Sequence, residues 1–394
     1  MKDSNKYIYL DHSATTPVDP EVYAAMEPFM TNQFGNASSL HTLGRRSRNA
    51  IEIAREQVAI LIGASRSSEI VFTSGATESN NQAIKGLIAH YRQKAPQRDL
   101  HLITCATEHH AVLHPCQYLE KHGLKVTYLS VDRYGRISLA DIQSAVSDET
   151  VLVSLMYANN EIGTIHPIDK ICQIAKNTGI SVHSDAVQSV GKIPVNVEEI
   201  GLDLLSISAH KFNGPKGVGC LYVRRRQRIN NLLHGGEHER NRRAGTENVA
   251  GIVGLGKAAE IAHRTLEQKS AHITQLAELL RQGLLNRIDK VFDNSPPNCH
   301  ERIPGIVSLV FADVSAENLI LRLDMEGICV SSGSACASGS MEPSHVIAQL
   351  GLNAELAQST VRFSIGHTNT VSEIETTIEI VSQVVSQIRA LKLT

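Results

Sequence analysis

The chain has 394 residues, 42% of them hydrophobic, enough to bury a sizeable core and to divide into two domains. A formal net charge of −2 gives no reason to expect a nucleic-acid or membrane surface, and no apolar run approaches a membrane span. The stretch Met1 to Lys6 lacks a signal peptide's apolar segment, and the seven cysteines are scattered, odd in number and without a Cys-x-x-Cys pair. A cytoplasmic location is therefore expected, and a disulfide framework or zinc ribbon is not.

In chain order, Tyr7 to Leu10 reads as a short strand running into Asp11-His12-Ser13-Ala14-Thr15-Thr16-Pro17. The polar loop Gly35-Asn36-Ala37-Ser38-Ser39 follows. A helix from about Arg45 to Leu61 is expected from the spacing of Ile51, Ala54, Val58 and Leu61. From Ile70 strands alternate with helices. Strands are expected over Ile70–Thr73, Leu100–Thr104, Lys125–Leu129, Val151–Met156, Ile180–His183 and Leu204–Ile207. Helical segments are expected over about Asn80–Tyr91, from Glu108 through Tyr118, and over about Asp169–Thr178. Val218–Val223 reads as an antiparallel return after the Gly214-Pro215-Lys216-Gly217 turn. This alternation predicts an α/β fold, with a mostly parallel seven-stranded sheet flanked by helices on both faces.

The polar loop Gly235 to Asn248 leads into a long helical region, Val249 to Arg287, in which a break is expected. The remainder reads as a smaller α+β domain with strands at Ile306–Phe311 and Val361–Ser364. Between them lies Val330 to Ser340, mostly Gly, Ser and Ala, a composition that favours a mobile loop.

In a sheet of this kind ligands bind beyond the carboxyl ends of the strands. The unusual polar residues follow strands: Thr77, His109, Asn160, Asp185 with Gln188, and Ser208 with His210 and Lys211. Five sets arriving at one sheet edge define a candidate site. A lysine held near apolar walls can lose its proton and act as a nucleophilic amine suited to a Schiff base. Ser74-Gly75-Ala76-Thr77 at a helix start offers N–H donors, a hydroxyl and the positive dipole end to a phosphate, and reads equally well as a capping loop. Ser208 and His210 could add two further phosphate ligands.

Asp185 follows an apolar strand, where an isolated carboxylate is costly unless paired; a pyridinium nitrogen would pair with it, and a helix N-cap is the plainer alternative. His109 could stack on an aromatic ring and shuttle protons, while His110 reads as a surface or packing residue. No His/Cys/Asp spacing matches a metal-ligand set. Cys336, in the Gly/Ser/Ala-rich loop, suits a reactive thiol; Cys105, Cys172, Cys220 and Cys329 sit in apolar surroundings. Arg362, between Val361 and Phe363, either clamps a substrate carboxylate or makes a structural ion pair.

Several fragments carry a resemblance in order along nearly the whole chain. They include Thr73-Ser74-Gly75-Ala76-Thr77-Glu78-Ser79-Asn80, Glu108-His109, Asn159-Asn160-Glu161-Ile162-Gly163 and Asp185-Ala186-Val187-Gln188-Ser189-Val190-Gly191-Lys192. Ala14-Thr15-Thr16-Pro17, Gly35-Asn36, Ala209-His210-Lys211, Arg243-Ala244-Gly245-Thr246-Glu247-Asn248 and Ser331-Ser332-Gly333-Ser334-Ala335-Cys336 complete the set. The chain thereby resembles the cysteine desulfurases of the NifS/IscS type, among the fold-type I, class V aminotransferase-like PLP enzymes.

The resemblance implies pyridoxal 5'-phosphate as cofactor, with Lys211 as the Schiff-base lysine and Asp185 as the partner of the pyridinium nitrogen. Gln188 would meet the cofactor's phenolic oxygen with Asn160 near that edge, and His109 would stack on the ring. Ala76, Thr77, Ser208 and His210 would hold the phosphate, joined by Thr246 from the other subunit of a homodimer. Arg362 with Asn36 would grip the carboxylate of L-cysteine. Cys336 would accept its sulfur, leaving L-alanine and a persulfide, which is passed to an iron–sulfur scaffold or another acceptor protein.

A large PLP-binding domain over 16–262 is expected, with a small domain formed by 1–15 plus 263–394 that carries the cysteine loop, about 328–345. A selenocysteine lyase or other PLP carbon–sulfur lyase is the nearest alternative. A non-catalytic sulfur or iron–sulfur scaffold is the alternative of another class. Asp11-His12-Ser13 stands where Asp-Asn is commoner in the family.

Overall fold

The computed structural model describes residues 7–176, 178–332 and 344–392. Its frame is a seven-stranded sheet. In chain order the first elements are β1 (Ile8–Tyr9), α1 (Pro20–Met30), α2 (Thr42–Leu61), β2 (Ile70–Thr73), α3 (Ala76–Lys94) and β3 (His101–Cys105). There follow α4 (His110–Glu120), β4 (Lys125–Leu129), α5 (Leu139–Ala145), β5 (Thr150–Ser154), α6 (Ile168–Ala175) and β6 (Ser181–Asp185). The short α7 (Val197–Ile200), β7 (Leu204–Ser208) and β8 (Gly219–Val223) close this half.

The strands lie in the order β2-β8-β7-β6-β5-β3-β4. Only β8 runs against its neighbours, pairing antiparallel with both β7 and β2. Every residue of β2, β3, β5, β6, β7 and β8 is buried, as a parallel sheet covered on both faces requires. The edge strand β4 differs: Lys125 is exposed and only Leu129 is buried.

The second half contains α8 (Val249–Arg287), β9 (Val291–Asp293), β10 (Ile306–Phe311), α9 (Ala316–Met325), β11 (Ile328–Cys329), α10 (His345–Ala348), α11 (Ala354–Ala357), β12 (Thr360–Ser364) and α12 (Val371–Lys392). The three strands β12-β10-β9 form an antiparallel sheet. β1 pairs in parallel with β11, which fastens the start of the chain to this half.

Two main apolar cores result. One gathers Ile103, Val153, Leu205 and Ile207 of the large sheet with Leu255, Ala259 and Ala262 of α8. The other joins Leu276, Leu280 and Leu284 of the same helix to Leu10, Leu309, Phe363 and Ile378. At 1.5 Å per residue the 39-residue α8 extends about 58 Å, long enough to serve both. It is one helix; the break expected in it is not present.

Ile70–Thr73, Lys125–Leu129 and Ile306–Phe311 agree with the sequence reading residue for residue, and the other expected strands shift by one or two residues at an end. α3 and α2 begin earlier than their apolar spacing indicated, because their first turns are polar and start at a cap rather than at the core stripe.

Candidate active site

A cavity of about 520 Å³ lies at the carboxyl edge of the seven-stranded sheet. The segments after β2, β3, β5, β6 and β7 all reach it, so the five polar sets read from the sequence do converge.

Lys211 ends the single turn, Ala209–Lys211, that follows β7. Its Nζ donates to the carbonyl oxygens of Ser13 at 2.6 Å and Ala14 at 2.9 Å. The same stretch is tied back by Thr16, whose N–H and hydroxyl both donate to His210 O, at 2.9 and 3.0 Å.

Across the cavity stands Asp185, the last residue of β6 and 6% exposed. Asn80 Nδ2 donates to its Oδ2 at 2.6 Å and Val187 N–H to its Oδ1 at 3.1 Å. Both donors are neutral, so the carboxylate faces the cavity without a hydrogen-bonded cation among the described residues. Asp185 is thus held by a side chain from α3 and is not the cap of a helix.

His109 precedes α4 and its Nδ1 accepts from Ala111 N–H at 3.1 Å, which leaves the ring proton on Nε2. Burial pulls its pKa below the usual histidine value, and the charge of Asp185 opposes the shift. His110 does more than pack. It lines the same cavity, stacks on His114 at 4.7 Å and meets the tilted ring of His345 at 4.5 Å. His345 in turn donates from Nε2 to the carbonyl oxygen of Glu108 at 2.8 Å.

α3 starts after Gly75, which offers no side-chain acceptor to the first-turn N–H groups of Ala76 and Thr77. Those donors, with the helix dipole, make an anion site at the cavity. A Cβ on Gly219 would lie 2.8 Å from Gly75 Cα, so a glycine there lets the start of α3 rest against β8, beside Ser208 on β7. His210 shares a hydrogen bond with Thr15 Oγ1 at 3.2 Å. Burial, followed by the charges of Lys211, Lys216 and Lys192, brings its pKa down to about 4. Its ring is therefore neutral at pH 7.

Pyridoxal 5'-phosphate fits this donor set. Asp185 offers a carboxylate with no hydrogen-bonded cation among the described residues to a ring nitrogen, Gln188 and Asn160 line the same cavity, the α3 start offers N–H groups to a phosphate, and Lys211 offers the amine.

Arg362 on β12 is 2% exposed, yet it lines the cavity. Nη2 meets Asp11 Oδ1 at 2.8 Å and Nη1 donates to Asn160 O at 2.8 Å. The structural ion pair is therefore present, and it holds the guanidinium at the site.

Two expected site residues stand apart. Asn36 is exposed and its Oδ1 accepts from Ser38 N–H at 2.8 Å, outside the cavity. Thr246 lines a separate cleft of about 140 Å³ with Ser74, Arg243 and Glu247. Cys336 lies outside the described residues. Ser331 before it pairs with Arg362, whose N–H donates to Ser331 O at 2.7 Å. His345 after it lines the cavity.

The sequence reading assigned no role to Asn80, Ser13, Glu161 or His345, all of which line the cavity. Asn80 carried a signal. It falls on the helical stripe of Ile84, Leu87 and Ile88, where a fully buried amide needs a polar partner. Burial raises the pKa of Glu161, opposed by the Ser344 hydroxyl and by the charges of Arg362 and His345.

The sheet order, the lysine on the turn after β7 and the carboxylate ending β6 define a fold-type I PLP enzyme. The family model for aminotransferase class-V matches residues 8–376, and the chain belongs to that family. Within it the chain is similar to cysteine desulfurases. It is 49% identical to the cysteine desulfurase IscS of Dictyoglomus turgidum over 384 residues, 98% of this chain and 96% of that protein. A solved NifS-like protein superposes with a TM-score of 0.90 at 38% identity, over 97% of this chain and all of the other. SspA, solved in complex with cysteine, has a TM-score of 0.80 at 35% identity, covering 92% of this chain and 99% of SspA.

Proposed function

We propose that this protein is a PLP-dependent cysteine desulfurase, converting L-cysteine to L-alanine while its sulfur passes to Cys336. The observation that carries the reading is the placement of Lys211 and Asp185 in one cavity of about 520 Å³. Bound pyridoxal phosphate supplies an electron sink for the bond changes at the substrate's α- and β-carbons.

The chain's own residues supply position and protons. Lys211 would hold the cofactor's aldehyde through Nζ, and the same amine is placed to move the substrate's α-proton. Asp185, fixed by Asn80, keeps a pyridine nitrogen protonated. His109 presents Nε2–H to the ring side of the cavity. Arg362, buried and braced by Asp11, receives the substrate carboxylate. Cys336 Sγ attacks the substrate sulfur: the substrate's C–S bond breaks, an S–S bond forms, and the carbon takes up a proton to give alanine. Support for L-cysteine as substrate comes from the solved relative SspA in complex with cysteine.

The wider setting rests on the family resemblance. The protein acts as a homodimer, with Thr246 serving the partner subunit's phosphate and Asn36 assisting Arg362. Thr246 lines a neighbouring cleft, which shares Ser74 and Gly217 with the main cavity, rather than the cavity itself. The residues 16–262 form the PLP-binding domain, and the change of core along α8 after Ala262 supports that division. Iron–sulfur assembly in the cytoplasm is the leading use of the sulfur, by likeness to relatives named IscS. No helix among the described residues is long and apolar enough to cross a membrane.

The test is to supply the PLP-loaded protein with L-cysteine and a thiol reductant. Equal amounts of alanine and sulfide support the reading; sulfide with pyruvate instead of alanine would point to another carbon–sulfur lyase.

A further inference from the structure

Gln188 and Lys192 lie four residues apart on the turn that follows β6. That turn is closed by Val190 N–H on Ala186 O and Ile193 N–H on Ser189 O, both at 3.0 Å. Bonds of this four-residue span put positions 188 and 192 on one side. There Lys192 Nζ meets Gln188 Oε1 at 2.6 Å. Gln188 lines the cofactor cavity and is 3% exposed, whereas Lys192 is half-buried and does not line it.

Charged or neutral, the amine can donate to Gln188 Oε1, and with the amide oxygen turned to Lys192 its NH₂ lies the other way. One of those N–H bonds goes to Ser13 O at 3.0 Å, the carbonyl that also accepts Lys211 Nζ at 2.6 Å. The second N–H is left for an acceptor in the cavity. Gly191 (φ 79°) seats the turn against the next segment: a Cβ there would lie 2.7 Å from Phe212 Cβ, one residue after Lys211.

Lys192 does not stand there to pair with an acid. The charges felt by its amine are those of Lys211 and Arg362, and its own charge in turn acts on His12 and His210. Burial first, then the two cations, brings its pKa down to about 7. A lysine placed at that cost, with an amide oxygen as its partner, serves the amide.

We propose that Lys192 is a positioning residue that locks the Gln188 amide with its NH₂ towards the cofactor's ring oxygen. The inference rests on the PLP reading of the site. Without Lys192 the amide can turn over and offer an oxygen where the ring oxygen needs a donor.

The test is a pH titration of the visible absorbance of the PLP-loaded protein, as parent, Lys192→Met, Gln188→Leu and the double variant. A donor on the ring oxygen favours the deprotonated lysine–cofactor linkage, so its loss raises the apparent pKa. Lys192→Met is expected to raise it by about 0.4–1 pH units, the equivalent of one hydrogen bond. In the Gln188→Leu background the same substitution is expected to do little, since the two residues act as one unit. An equal rise in both backgrounds would show that Lys192 acts by charge alone and overturn the proposal, as would no rise in either. Should Lys192→Met not fold, Lys192→Ala is read by the same criterion. A parent protein that binds no PLP would overturn the proposed function itself; normal parental absorbance with an unmoved variant overturns only this inference.

Discussion

Asn80 Nδ2 lies 2.6 Å from Asp185 Oδ2, linking the buried face of α3 to the last residue of β6. The contact holds the carboxylate at the cavity through a neutral donor, and the proposed function gives its charge to the ring nitrogen of the cofactor. A hydrogen bond to a charged group is worth about 1.5–3 kcal/mol, so Asn80→Leu should lower kcat/KM for cysteine by roughly ten- to a hundredfold. Asp185→Asn should cost more, because the amide cannot hold a pyridine nitrogen protonated. Steady-state alanine formation measures both; an Asn80→Leu enzyme with parental kcat/KM would remove the contact from the mechanism.

Arg362 pairs with Asp11 and, in the proposed function, also receives the substrate carboxylate; a conservative change separates the two roles. Lysine in its place keeps a charge but cannot offer the planar pair of N–H groups that a carboxylate accepts. Arg362→Lys should raise KM for cysteine by about tenfold or more, the cost of one charge-assisted hydrogen bond. If the residue were solely the partner of Asp11, the melting temperature would fall and KM would stay. Measuring both quantities on the same preparation decides.

Buried histidines make the fold sensitive to acid, and in two of them, His183 and His166, burial is the sole cause. His183 is fully buried between Ser154 Oγ at 2.8 Å and Ser206 Oγ at 3.0 Å, and burial pulls its pKa to about 3. His166, also buried, is pulled to about 4. Above the unfolded value near 6.5 both states are neutral and no stability is lost. As pH falls below 6.5 the unfolded chain takes up protons that the folded chain refuses, so stability drops down to the folded values. Each histidine contributes a slope of about 1.4 kcal/mol per pH unit in that window. Denaturant midpoints at several pH values should show the loss, and His183→Gln should flatten it. An unchanged slope in that variant would place the acid sensitivity elsewhere.

How far the sequence reached depends on how local each signal is. Lys125–Leu129 and Ile306–Phe311 were legible because short apolar runs between turns have few other readings. α12 was equally legible and went unassigned, although Ile374, Ile378, Val381, Val385 and Ile388 keep helical spacing and are all buried. Lys211, Asp185 and His109 could be picked out because each follows a strand, and strand ends converge. The partner of Arg362 could not: Asp11 lies 351 residues away, and only the pairing of β1 with β11 and the bridge from Asp11 to Ser364 bring it near. His110 does pack, stacked on His114, but its second ring contact, His345, was not legible because it belongs to a distant segment.

The role of Cys336 separates cofactor chemistry from sulfur transfer. Cys336→Ala should bind PLP and show the parental visible spectrum, because none of the cavity residues named above is altered. Lys211→Ala should lose the lysine-linked absorbance altogether.

The most direct measurement of the central claim is alanine formed from L-cysteine by the PLP-loaded parent, by Cys336→Ala and by Lys211→Ala. General acid–base help is typically worth about 10²–10⁴-fold, so Lys211→Ala should fall at least that far below the parent, and Cys336→Ala, which lacks the attacking thiol, should form no alanine above background. Alanine and sulfide released by Cys336→Ala at a rate close to the parent's would contradict the assignment of Cys336 as the sulfur acceptor.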